Sequence, residues 1–285
     1  MLLVGGGEMD SSWPYLLYDS FLPKIQDYEE NLLAMSRSQQ IYDKAHKPYK
    51  FLFLNGRTRT HRKYLMERFR LSGLLDQSLW SWLDLTVGYS KDIVLQHNGL
   101  DLIGQPHEIK LLPAQYEYSA YRDRTLGLES DKQFVKYDLF NNEWGEIYLN
   151  PEAYIDTYFS VVTETVFDYP YSFRTEKIWK PMAMAHPWIA VANQGYYRDL
   201  RNLGFQTFGH LIDESFDTIE NSQARIERIA QVVEDLCRQD LASFLKECYN
   251  TCKYNQQHLT VMRDQVRSEF PQRFFQFLKQ HCFYE

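Results

Sequence analysis

Cysteine is missing from the first 236 residues of this 285-residue chain, and the four that exist, Cys237, Cys248, Cys252 and Cys282, all lie near its C-terminal end. A disulfide framework spreads its pairs over a fold, so this distribution points to a reducing compartment and buried thiols. Cys248 and Cys252 share a helix face, but no further His or Cys stands at ligand spacing, which argues against zinc. Long apolar runs are lacking as well. The run Met182 to Ala192 is broken by His186 and Pro187, and the N-terminal MLLVGGGEMD has no basic leader, so neither a spanning helix nor a signal peptide is expected. Cations are outnumbered, with 31 Lys and Arg against 38 Asp and Glu, a net charge of -7. Proteins that coat nucleic acid draw their affinity from a wide cationic face, which this balance disfavours while leaving a local basic site open.

Aromatic side chains are abundant, at 16% of the chain with 21 tyrosines. Such rings stack on sugars and bases, but they also fill cores, and the core is the preferred reading. The length exceeds what one small core needs, which allows one large or two medium domains; two are preferred, 1–145 and 146–285.

MLLVGGG reads as the end of a strand entering a glycine turn, where a backbone or ligand can approach closely; an ordinary turn fits equally. Residues 14–45 are mixed and mostly helical. YKFLFLN, from Tyr49 to Asn55, is a short apolar strand closed by Gly56. In the following GRTRTHRKYLMERFRLSGLL, Thr60 is placed to cap a helix from His61, Leu65, Met66 and Phe69 share a face, and Gly73 is placed to end it. Exposed N–H groups at such a start attract anions, and Arg57, Arg59, His61 and Arg62 add donors there. A solvated basic helix start accounts for the same residues. Strands are predicted over Ser78–Val87 and Asp92–Gln96, then loop-rich chain to Trp144.

Beyond Asn150 the pattern is regular. It predicts a strand Tyr158–Thr163, a helix capped by Thr175 and reaching Ala185, a strand Trp188–Ala192, and a helix Gly195–Leu203 closed by Gly204. A short strand Phe205–Phe208 follows, then a long helix opened by Asn221 or Ser222 and a helical tail with a stop near Pro271. Alternating strands and helices imply a parallel sheet covered on both faces.

Ligands of open parallel sheets bind at the carboxyl ends of the strands. Arg174, Glu176 and Lys177 fall there: Lys177 as a point charge for phosphate, Arg174 as a forked grip, Glu176 as acceptor for two ribose hydroxyls. A helix-start ion pair explains Glu176 but leaves Lys177 at the wrong end of the dipole, which favours function. Glu164, at the preceding strand end, is placed to position a donor hydroxyl, to hold Lys177, or only to end the strand. Asn193, after the next strand, joins this donor-binding set. Asp213, Glu214 and Asp217 match no calcium loop and read as solvated.

TEKIW, then HPWIAVANQGYY, then FQTFGHLIDESF, with VVTET before them, resemble the donor-binding half of the α-1,3-fucosyltransferases across residues 158–217. The chain is also similar to phage-type glycosyltransferase-like proteins carrying an Asn-Gly-Arg-x-Arg-x-His-Arg run. Thr163 and Thr165 stand where that family has Phe and Asn, and Ala192 where it has Gly, so fucose itself is not implied. The resemblance implies a GT-B-like α/β fold, two Rossmann-like domains facing a cleft with a helical C-terminal tail. It also implies a nucleotide-sugar donor, no tightly bound cofactor and no fixed metal. Glu176 and Lys177 take the ribose and phosphate contacts, and Glu164 the place of the family's strand-end Glu. The acceptor, whether glycan, protein or modified nucleotide, would meet Arg57, Arg59 and Arg62 across the cleft, with Glu8 or His61 as base. A non-catalytic nucleotide- or glycan-binding protein, or a nucleic-acid-associated one, is the alternative. The expected location is the cytoplasm, that of the host if phage-encoded.

Overall fold

The computed structural model describes residues 3–7, 9–55, 59–82 and 149–282. The run YKFLFLN forms strand β3 (Tyr49–Asn55), and its neighbours are β4 (Leu79–Trp82) on one side and β5 (Thr157–Thr163) on the other. Strand β6 (Trp188–Val191) completes a four-stranded sheet of order β4-β3-β5-β6, parallel throughout. Successive buried residues along β3, Phe51, Leu52 and Phe53, are what a strand covered on both faces requires. A separate parallel pair, β1 (Leu3–Gly5) and β2 (Tyr15–Leu17), lies near the N-terminus.

The expected division at residue 145 separates strands that hydrogen-bond to each other, since β3 pairs with β5 and sets Phe51 beside Phe159. Two Rossmann-like sheets facing a cleft are not found among the described residues. What the chain shows is a mixed α/β fold with one larger parallel sheet and a helical C-terminal tail. In that sheet the chain leaves β3 for β4 on one side and returns to β5 on the other. Such a reversal of strand order is where open α/β sheets bind their ligands, here at the carboxyl ends of β3 and β5.

After α1 (Phe21–Ile25), α2 (Glu29–Ser36) and α3 (Gln40–Asp43) comes α4 (Thr60–Leu71), whose Phe69 ring lies 5.4 Å from Phe51 and 5.5 Å from Phe53. Arg59 rather than Thr60 occupies the N-cap of α4, without a side-chain cap, and Gly73 follows its end with φ +71. Helix α5 (Pro151–Ile155) leads into β5 and α6 (Glu176–Ala183) into β6. Thr175 caps α6 as expected, and Asn221 caps α8 (Ser222–Leu236). Between them runs α7 (Tyr196–Asn202). The tail comprises α9 (Leu241–Glu247) and α10 (Tyr249–Cys282).

Two sequence expectations fail for visible reasons. Phe205–Phe208 is no strand: the Asn255 side chain from α10 takes the place of a ladder partner, accepting from Gln206 N at 2.9 Å and donating to Gln206 O at 2.8 Å. Pro271 does not stop the tail, which runs through it to Cys282. The lost N–H removes one helical bond, while Phe270 just before it packs on Tyr18 at 4.0 Å and on Phe274 at 5.6 Å. The aromatic excess goes largely inward: Trp179, Trp188, Tyr196, Tyr197, Phe51 and Phe53 are among the largest fully buried side chains. Cys237, Cys248 and Cys252 are buried free thiols. Among the described residues no helix is long and apolar enough to cross a membrane.

Candidate functional site at the carboxyl edge of the sheet

At the end of β5 the Thr163 hydroxyl donates to Asn55 Oδ1 of β3 at 2.8 Å, and Glu164 N continues the pairing to Val191 O of β6 at 3.0 Å. The Glu164 side chain, fully buried, then ties this edge to two helix starts. Its Oε2 accepts from Thr175 Oγ1 at 2.7 Å, and its Oε1 accepts from Thr175 N at 3.2 Å and from the Tyr196 hydroxyl at 2.9 Å. Burial raises its pKa, with Lys177 and the Thr175 hydroxyl working against that shift. In the structure Glu164 is a buried strand-end carboxylate that holds the cap of α6.

Thr175 Oγ1 in turn accepts from Lys177 N at 3.4 Å and from Lys177 Nζ at 3.1 Å. Lys177 Nζ also meets Glu176 Oε1 at 2.6 Å, and its side chain keeps 27% of its exposure. Glu176 is buried; burial pushes its carboxyl up, but Lys177 and Lys180 more than offset this, and its pKa lies below the ordinary value. A cation in the first turn of a helix opposes the macrodipole, so Lys177 is held there by Thr175 and Glu176 against that tendency.

Arg174 is turned away from such a role. It is 1% exposed, and its Nε lies 3.7 Å from Asp19 Oδ2. Asp19 also accepts from Leu22 N at 3.2 Å and from Trp179 Nε1 at 3.3 Å, and burial pushes its pKa up to about 6 against the pull of Arg174. The pair thus ties the start of α1 to the loop before α6. Asp19 was readable as a helix-start residue ahead of Phe21, but nothing local in sequence joins it to Arg174.

The residues assigned to an opposing acceptor face lie at this same edge. Arg62 donates to Thr163 O at 2.9 Å and Glu164 O at 3.3 Å, and His61 Nε2 bonds Glu164 O at 3.0 Å. They close the carbonyl end of β5. His61 is fully buried and stacked on Phe167 at 5.2 Å, and burial, then Arg62, Arg59 and Arg225, hold its pKa well below the ordinary value. Arg59 is half-buried at the start of α4. Arg225 escaped the sequence reading because it sits in the first turn of an ordinary amphipathic helix. It donates to Ile219 O and Phe167 O, each at 2.7 Å, with its guanidinium 4.5 Å from the Phe167 ring. Glu8 and Arg57 lie outside the described residues. Gly7, which precedes Glu8 in sequence, bridges Phe173, and a Cβ at Gly7 would stand 2.9 Å from that ring, so the close approach read from the glycine run is real.

Asn193 follows β6 and bonds Ser172 and Gln194. The acidic loop, expected to be solvated, is so only at Asp213: Asp217 is buried and Glu214 half-buried, because both accept from backbone N–H groups. Asp217 accepts from Tyr197 N at 2.9 Å and Arg198 N at 3.0 Å at the start of α7, Glu214 accepts from Phe208 N at 2.7 Å, and Asp213 pairs with Arg228. Among the described residues no group of three or more His, Cys, Asp or Glu side chains is arranged to hold a metal ion.

The site therefore gathers Glu164, Thr175, Glu176, Lys177 and Asn193 around the ends of β5 and β6, with His61 and Arg62 sealing the side toward β3. No protein family, curated protein or solved structure is found to match this chain.

Proposed function

We propose that the carboxyl edge of β5 and β6 binds the diphosphate of a nucleotide sugar, and that the chain is a glycosyltransferase using that donor. Lys177 carries the reading. It is a partly exposed cation fixed in the first turn of α6, where the dipole alone would disfavour it by about 0.3–1 kcal/mol. With a diphosphate present the same dipole and the same cation act together, and both oppose the charge that grows on the leaving group as the sugar bond breaks. Glu176 beside it is the acceptor for ribose hydroxyls. Arg174 holds the loop from behind through Asp19 rather than gripping phosphate. The GT-B arrangement goes with this reading, a second Rossmann-like unit facing the donor and presenting an unidentified glycan, protein or modified-nucleotide acceptor.

One observation favours a second reading, a nucleotide- or glycan-binding protein without turnover. His61, a base by sequence, is sealed behind Phe167 and bonded to a backbone carbonyl. The nucleic-acid alternative is weakened because Arg62 and Arg225 spend their guanidinium bonds on internal carbonyls.

A thermal-shift panel of sugar nucleotides, followed by a hydrolysis assay on whichever stabilises the protein, separates these readings, since a ligand of the folded state raises its stability by mass action. Stabilisation with slow release of the sugar supports the transferase. Stabilisation with no release over days supports the binding protein, and no stabilisation by any member counts against both.

A further inference from the structure

Asn193 is 2% exposed, and its neighbours fix which way its amide points. Nδ2 donates to Gln194 O at 2.8 Å and to Ser172 Oγ at 3.3 Å, while the Ser172 proton goes to Asp199 Oδ2 at 2.6 Å. A flipped amide would set oxygen against the Gln194 carbonyl, so the remaining atom is Oδ1, an acceptor. Among the described residues Oδ1 has no hydrogen-bond partner. Folded proteins leave few buried acceptors unmet, and those that persist call for a reason.

Its place supplies one. Ser172, bonded to Asn193, belongs to the loop that continues through Arg174 to Thr175 and the first turn of α6, so the unmet acceptor and Lys177 flank neighbouring strand ends. A phosphate oxygen would be repelled by Oδ1, whereas a hydroxyl would be held. We propose that Asn193 Oδ1 accepts a hydrogen bond from a sugar hydroxyl of the ligand whose phosphate Lys177 neutralises. This rests on the donor-site reading above and adds a discriminating residue to it: Lys177 answers to phosphate, Asn193 to the polyol attached to it. The hydroxyl belongs either to the ribose or to the sugar being transferred. Oδ1 is closed to bulk solvent, so a ligand hydroxyl reaches it only by displacing side chains packed around it.

Isothermal titration of the full chain tests this with inorganic diphosphate, UDP, GDP, their 2′-deoxy and 3′-deoxy forms, and hexose 1-phosphates with their deoxy forms. Asn193→Ala is expected to weaken the probes that carry the sugar it reads about 3- to 10-fold, the range of one neutral hydrogen bond, and to leave diphosphate as in the native chain. Deleting the hydroxyl that Asn193 reads should cost the native protein the same factor and the variant nothing, as in a double-mutant cycle. A ribose-deoxy effect assigns the ribose; an effect confined to hexose 1-phosphates assigns the transferred sugar. Diphosphate binding and the thermal melt of Asn193→Ala report whether it folds, and the deoxy series on the native protein needs no variant. The inference is overturned if no hydroxyl deletion matters, or if the variant keeps full hydroxyl sensitivity, in which case Oδ1 serves a buried water only. It is also overturned if diphosphate and sugar probes weaken alike. Binding that Lys177→Ala weakens and Asn193→Ala does not removes this inference alone. Absence of binding by every probe removes the donor site and this inference with it.

Discussion

The Thr175 hydroxyl donates to Glu164 Oε2 at 2.7 Å, so the residue that caps α6 is itself anchored by the carboxylate that ends β5. One side chain thereby sets the position of the helix start on which Lys177 stands. Glu164→Ala would leave Thr175 N and the Thr175 and Tyr196 hydroxyls without their acceptor in a buried site, though the two hydroxyls can turn to other acceptors. The expected loss is about 2–4 kcal/mol of stability, one to two unmet buried groups, read as a lower urea midpoint at unchanged slope. A loss under about 0.5 kcal/mol, the scale of an ordinary surface change, would show that the carboxylate does not organise this edge.

The Asp19 and Arg174 pair makes a signed prediction with pH. Asp19 has its pKa raised from 3.8 to about 6, so its protonated form is the one folding favours. Its contribution to stability is fully present below pH 3.8 and is lost as pH rises through about 6, a change of about 3 kcal/mol at 1.36 kcal/mol per unit. Asp19→Asn cannot ionise. Its stability relative to the native chain should therefore improve by about that amount between pH 4 and pH 7, measured by urea unfolding at each pH. A difference constant across this window would mean that Asp19 titrates normally.

His186 acts in the opposite direction. Its ring is buried, Nε2 donates to Thr157 O at 2.9 Å, and Nδ1 therefore accepts from Ser160 Oγ at 2.9 Å. Burial lowers its pKa from 6.5 to about 3. A depressed histidine contributes stability present above its unfolded pKa and lost as pH falls from about 6.5 toward about 3, on the order of 5 kcal/mol. His61, shifted the same way, adds to this. The raised carboxylates Asp19, Glu164, Asp168, Glu214 and Asp217 act with the opposite sign, so the test isolates the histidine: His186→Asn should lose less stability than the native chain as pH falls below about 6.5. NMR titration of the His186 ring at an ordinary pKa would contradict this.

How much of this was legible depended on the range of the contacts. YKFLFLN gave β3 to the residue because an apolar run bounded by Gly56 has no competing helix reading, and Thr175 and Asn221 announced their helices as caps. Strand β2 was hidden because Tyr15–Leu17 is too short to show a period. Phe205–Phe208 and Pro271 misled because Asn255, Tyr18 and Phe274 act from elsewhere in the fold. Within the site, Glu164, Thr175, Glu176 and Lys177 are near in sequence and were read together. That Arg174 faces Asp19, and that His61 and Arg62 cap β5 instead of facing it across a cleft, follows only from strand order, which one sequence does not determine.

Lys177 offers the most direct trial of the central claim. It is partly exposed, and because it also holds the buried Glu176 carboxylate, a thermal melt of Lys177→Ala establishes that the variant is folded before its binding is compared. Isothermal titration with nucleoside diphosphates should show binding to the native protein that Lys177→Ala weakens by about 1.5–3 kcal/mol, the worth of one charged hydrogen bond. Native binding that Lys177→Ala leaves unchanged, or no binding of any nucleoside diphosphate, would contradict the assignment of a nucleotide-sugar site to this helix start.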